Sequence, residues 1–230
     1  DPASSSVHRK NYGSDELGDM NHIAPMVKLL WQLPTTSNLV LELKYAYEDN
    51  NYNNSYAGQS TVDFDANPHQ QYVAHQLGEY NTEHHTSYVK LRYDMNSNIT
   101  NNLTGYFNYF TRDWFKLDKV VVGGTEYAEE VFNSKAATGN QVVARNVAKG
   151  LTAGQLRYKG NDRQYGAYGI MNETDFRFNT DLMDKNIKHD LKVGFKYHYD
   201  YHHRDQQKHN FTQAAGGLIT AHADGVTFSD

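Results

Sequence analysis

Histidine occurs 12 times in 230 residues, and His84-His85, His202-His203, His198 and His209 are expected at outer strand ends or in outer loops. Imidazoles gathered there suit a bare transition metal such as nickel, or a haem iron. The spacing argues against a ready-made site. Adjacent residues on a strand point to opposite faces, so neither His84-His85 nor His202-His203 can chelate with both rings while extended. His198 and His202 share a face, but four residues at about 3.3 Å each separate them too far for one ion without a third group. Acid and base pairs can be drawn among Glu42, Asp94, Glu173 and Lys192, as they can in any polar lining. No Ser/His/Asp order stands out, Gly123-Gly124 is too short for a phosphate loop, and no enzyme is expected. Asn-Xaa-Ser/Thr triplets such as Asn98-Ile99-Thr100 are expected by chance in an asparagine-rich chain.

The elements that would position these groups are strands. Leu39, Leu41, Leu43, Tyr45 and Tyr47 alternate with Val40, Glu42, Lys44, Ala46 and Glu48; His189, Leu191, Val193, Phe195, Tyr197, Tyr199 and Tyr201 alternate with Asp190, Lys192, Gly194, Lys196, His198, Asp200 and His202. A side-chain period of two with different surroundings on each face is the mark of a strand. Further segments follow at about Asn21 to Leu33, His85 to Met95, Leu103 to Phe115 and Arg163 to Asn179. The connections alternate in length: short turns at Pro34 to Asn38, Asn96 to Asn102 and Asp181 to Lys188, long polar stretches at Asn50 to His84 and Lys116 to Asp162. Both ends fall where a further long connection would be due, and a short helix is expected around Thr125 to Phe132. Sorting loops by length onto two sides is the habit of outer-membrane barrels, with tight turns on one side and long loops on the other. A soluble β-sandwich or secreted binding module is the alternative, and would keep most connections short.

Composition favours the barrel. Cysteine is absent, so disulfides and thiolate metal sites are excluded. Only 38% of residues are apolar, while tyrosine alone contributes 18; a chain between a polar lumen and lipid needs little core. No apolar run approaches the roughly 18 residues of a spanning helix. The net charge of -5, with no basic tract, gives nucleic-acid binding no support. Asp1 to Ser6 does not read as a signal peptide. About six strands cannot close a barrel, since known single-chain examples start at about eight. The expectation is therefore an all-β fold: an antiparallel transmembrane β-barrel arc, residues 1–230 being a piece of a larger barrel.

Several stretches carry a family resemblance. Leu43-Lys44-Tyr45-Ala46-Tyr47-Glu48-Asp49, Gly58-Gln59, Asp63-Phe64-Asp65-Ala66-Asn67-Pro68, and Phe107 to Leu117 resemble the barrel of TonB-dependent receptors of the ferric dicitrate type, as do Tyr165 to Ile170, Asp175 to Phe178, and Lys188 to Tyr197. The resemblance spans about Met20 to Asp205. It implies a barrel of about 22 strands in the outer membrane of a Gram-negative bacterium, plugged by an N-terminal domain and importing a ferric chelate with energy relayed by the TonB complex. It implies no resident cofactor. The plug, the TonB-contacting box and the aromatic C-terminal strand are missing from the pattern, and Phe228-Ser229-Asp230 reads as loop.

A ferric dicitrate complex is small, anionic and rich in carboxylate oxygens, which calls for guanidinium forks and amide donors near the mouth. Arg112 stands where the fourth segment leaves the membrane, and Arg157 and Arg163 bracket the start of the fifth. These three are the expected ligand contacts, with Lys116, Gln59 and Asn161 behind them. The opposing reading pairs the arginines with neighbours such as Asp113 or Asp162, as wall residues. A nickel or haem receptor on the same scaffold, using His198 and His202, is the alternative ligand class.

Overall fold

The computed structural model describes residues 20–34, 38–69 and 71–228. Residues 35–37 of the first expected turn, the N-terminal stretch and Ser229-Asp230 lie outside them. The architecture is one antiparallel sheet: β1 (Met20–Ile23), β2 (Met26–Leu33), β3 (Asn38–Asn53), β4 (Glu79–Asn96), β5 (Ile99–Val122), β6 (Thr125–Tyr127), β7 (Gly154–Leu182), β8 (Lys185–Gln213) and β9 (Ile219–Phe228). The order is β1-β3-β4-β5-β7-β8-β9, with β2 also on β3 and β6 on β5. The sheet does not close on itself among the described residues, so the chain is an arc of a barrel. No described helix is long and apolar enough to cross a membrane.

β1 and β2 are one strand interrupted at Ala24-Pro25, since both pair with β3 in the same register. Pro25 has no N–H to give the ladder, a defect an edge strand tolerates, and its carbonyl still accepts from the Tyr47 amide at 3.0 Å. The strands outrun their expected limits at the loop end. β7 and β8 are 29 residues each, where the alternation had suggested Arg163 to Asn179 and a segment starting near His189. The turns are correspondingly tight. Met183 and Asp184, at φ 49° and 62°, form the left-handed pair that joins hairpin strands without splaying them. Gly123-Gly124, at φ 57° and 78°, does the same between β5 and β6.

Register divides the sheet into two faces. Leu43, Val89, Gly105, Ile170 and Tyr197 form one row of the apolar face, and Tyr47, His85, Tyr109, Gly166 and Tyr201 a higher one. Leu191, Val193 and Phe195 stand 51%, 53% and 67% exposed, so no second layer of described residues covers them. That exposure is what a barrel wall requires and what a sandwich forbids. Small residues let the aromatics lie flat: a Cβ on Gly169 would sit 2.4 Å from the Tyr197 carbonyl oxygen and against the Tyr106 ring.

Above the tyrosine row the same face is covered by the protein's own loops. Residues 54–78 contain α1 (Thr61–Ala66) and a 3-10 turn at Val73–His75; residues 123–153 contain β6, α2 (Glu129–Phe132) and α3 (Asn140–Ala148). Tyr72, Ala74, Phe132, Ala144, Val147 and Ala148 from these loops pack on Phe115, Leu117, Val120, Leu156, Tyr158 and Phe211 of the strands. The Tyr158 hydroxyl donates to the Ala74 carbonyl, and the Gln213 amide to that of Val147. The helix expected at Thr125 to Phe132 is corrected: only Glu129–Phe132 is helical, because residues 125–127 pair with β5. The longer helix is α3. The tail is corrected too: residues 219–228 pair with β8 after a short turn at 214–218, where a loop had been expected.

Candidate functional site: a cationic wall

On the polar face, several charges in the lower wall are paired. Lys28 Nζ lies 2.7 Å from Glu42, which also accepts from the Tyr88 hydroxyl. Arg92 is 3.1 Å from Asp94, and Lys192 is 2.6 Å from Glu173 and 3.5 Å from Asp175. Of the carboxylates considered for catalysis, Glu42 and Glu173 are thus held in cross-strand pairs and Asp94 in a pair along its own strand.

Higher up, the balance is lost. Arg112 pairs in register with Arg163, and Arg163 with Arg204. Four residues farther out along each strand Lys116 pairs with Lys159, and Lys159 with Lys208. Neighbouring strands place such residues about 5 Å apart, and four residues along a strand cover about 13 Å. Among the described residues none of these six cations has a carboxylate within ion-pair distance. Between the two rows lie Trp114, Asn161 and Gln206; Gln206 donates to Asn161 Oδ1 at 3.1 Å, and Arg163 Nε donates to the same oxygen at 3.2 Å. Arg163 also reaches the Tyr165 hydroxyl at 3.2 Å. Arg112 Nε and Trp114 Nε1 are buried N–H donors with no acceptor. An orphaned buried donor costs about 1–3 kcal/mol, and an incoming anion would relieve it. Lys116 Nζ rests over the rings of Tyr56 at 3.5 Å and Trp114 at 4.1 Å. Burial lowers the Lys116 pKa, and Arg112 and Arg163 add to that against Asp118 and Glu129. Lys159 is lowered in the same way by burial, with Arg204, Lys208 and Lys116 contributing.

The acids expected to neutralise the arginines are on the other face. Asp162 pairs in register with Asp205 and lies beside Asp113, in a row between the tyrosines and the loop core. Burial first, then Asp113 and Asp205, push the Asp162 carboxyl up to about 7. A carboxyl raised above its unfolded value weakens the fold where it must ionise, so stability is gained as pH falls through about 7. Asp162→Asn is therefore expected to raise the thermal midpoint at pH 8 and to leave it nearly unchanged at pH 5, a comparison readable by circular dichroism in detergent.

Of the residues singled out in the sequence, Arg112, Arg163, Lys116 and Asn161 are brought together. Arg157 shares their face but is matched by two carboxylates, Asp118 at 3.0 Å and Glu126 at 2.8 Å, so the wall-residue reading describes it. Gln59 lies in the loop before α1, outside the strand rows, with Oε1 buried and unpartnered. Arg204, Lys159, Lys208 and Trp114 were missed. The hairpin turn at Met183-Asp184 was the signal for three of them: opposite residues across one hairpin have a constant sum, which sets Arg163 against Arg204 and Lys159 against Lys208. His198 lies lower than expected, its Nδ1 2.6 Å from the Tyr106 hydroxyl. His202 stacks on Tyr165 at 4.8 Å. No group of three or more potential metal ligands forms among the described residues.

No protein-family model matches the chain, and no curated protein does. Among solved structures it is similar to the ferric citrate transporter FecA in its unliganded form, at 13% identity and a TM-score of 0.56 over 92% of this chain. The chain spans 24% of the length of that transporter. The likeness is one of fold, and it agrees with the arc of barrel wall described above.

Proposed function

We propose that this chain is a wall segment of a TonB-dependent receptor in the outer membrane of a Gram-negative bacterium, taking up a ferric chelate such as iron(III) dicitrate. Its apolar face meets lipid, and its polar face lines the path of the ligand. The observation that carries the reading is the loss of charge balance up the polar face, from paired wall charges to two rows of unpaired cations beside buried, unsatisfied donors. Guanidinium forks and amide groups at this spacing suit a compact polycarboxylate. The role of the chain is binding, with no bond made or broken. Energy would reach the barrel through a plug and the TonB complex, as in the family that the sequence resembles.

The test is a titration of outer-membrane vesicles from cells producing the protein with ferric dicitrate, haem and nickel. Saturable binding of ferric dicitrate, weakened by excess free citrate and by salt, is the expected result. Preference for nickel, lost on changing His198 and His202, would replace this reading with a metal receptor.

A further inference from the structure

Lys116 differs from Lys159 and Lys208, the two lysines in its row. Its ammonium lies over the rings of Tyr56 and Trp114, well within the roughly 6 Å at which a ring face holds a cation. Lys159 and Lys208 have no ring so placed among the described residues. Trp114 is the fixed wall of this cage, because Tyr80 and Tyr56 pack edge-to-face with it at 5.5 and 5.1 Å. Tyr56 is the other wall, and it comes from the first long loop. The turn that carries it runs from Ser55 to Gly58, closed by the Gly58 amide on the Ser55 carbonyl at 3.3 Å. The next residue, Ala57, is buried, and its carbonyl accepts from Asn133 Nδ2 of the second long loop at 2.8 Å. At the base of the first loop the Asn54 amide donates to the Gly78 carbonyl at 2.9 Å. The Tyr56 ring therefore stands over Lys116 only while both loops are seated.

A lysine stem is long and flexible, and two acids are near enough to act electrostatically on this ammonium, Asp118 and Glu129. Asp118 is already taken by Arg157 at 3.0 Å. Glu129 is not, and its Oε2 is a buried acceptor without a partner. Uncaged, Lys116 has an acid to turn to, and its charge would be lost to the row. We propose that Tyr56 is a positioning residue for anion binding: with Trp114 it holds Lys116 on the wall and away from Glu129, so that the cationic site is complete only with the first loop in place. The inference rests on the function proposed above.

The test is ferric dicitrate binding in mild detergent, by isothermal titration, for the parent, Tyr56→Leu, Tyr56→Phe, and Tyr56→Leu combined with Glu129→Gln. Tyr56→Leu is expected to weaken binding about tenfold, the worth of a desolvated contact between cation and ring. Tyr56→Phe keeps the ring and is the conservative rescue. Glu129→Gln should restore most of what Tyr56→Leu loses, because the competing charge is gone. A ring that only packs the loop could not be rescued from α2, so a loss left unchanged by Glu129→Gln overturns the proposal, as does parent affinity in Tyr56→Leu. The ligand-free protein gives an independent reading. The chain has two tryptophans, and in a Trp31→Phe background Lys116→Gln should shift the Trp114 emission, whereas with Tyr56→Leu added it should not. No shift in the first case overturns the cage even where ligand binds. A shift without any ferric dicitrate binding sinks the function proposed above and supports the cage.

Discussion

Replacing Arg163 with alanine is expected to weaken ferric dicitrate binding by roughly 10-fold to 100-fold, the equivalent of one charge-assisted hydrogen bond. Arg163 is the middle member of its row, between Arg112 and Arg204. It is also already aimed, through Asn161 and Tyr165, so a ligand need not order it. Arg163→Lys should recover only part of the loss, because an ammonium cannot present two parallel donors. Arg157→Ala is the control: Asp118 and Glu126 already consume its charge, and binding should stay within twofold of the parent. Isothermal titration on the three variants decides the matter. Equal losses from Arg157 and Arg163 would mean that the rows act only through their summed charge.

The second large effect concerns the loops. Asp63, in α1, meets Lys149, which follows α3, and so ties the first long loop to the second. Tyr72 and Ser60 donate to the same carboxylate at 2.6 and 2.7 Å. Burial alone would raise the Asp63 pKa, but the hydrogen bonds from Lys149, Tyr72 and Ser60 outweigh it and bring it to about 2. Asp63→Asn leaves the lysine in a poorly solvated site without its counter-charge, at a cost of about 3 kcal/mol. Amides of residues 57–78 and 129–149 should then exchange roughly 100-fold faster, while those of the lower strands keep the parent rate. The sign of the pH dependence follows from a lowered carboxyl: the contribution is full above about pH 4 and disappears as pH falls toward 2. The variant should lack that acid-dependent loosening. Hydrogen exchange by mass spectrometry reads both effects.

The lower half of the wall was legible because its two faces meet different surroundings. From Leu39 to Tyr47 and from His189 to Tyr201 the period of two is unbroken, and both stretches are strands with the expected faces. The upper half was not, since there both faces carry polar residues. Asp113 and Arg112 sit on opposite sides of β5 at one height, and no apolar stripe remains to mark the alternation. Yet Phe115 and Leu117 keep the parity of Leu103 and Phe107, so the strand could have been followed two residues farther. Residues 140–148 also carried a helical signal in Val143, Ala144, Val147 and Ala148, hidden within a segment read as polar. The cations were visible one by one; their assembly into rows needed the register that the tight turns impose.

The segregation of acids and bases at the upper wall has a consequence for capture. Asp113, Asp162 and Asp205 look one way, and Arg112, Arg163 and Arg204 the other, with only the thickness of one sheet between them. That spacing is close to the screening length of about 8 Å at physiological ionic strength. From afar the acids offset part of the charge of the basic rows, and an approaching anion feels less pull than those six cations alone would exert. Once inside, it meets the basic layer alone. The wall behaves as a charged double layer, discriminating at contact range, with the outward acids turning away anions that graze the exterior.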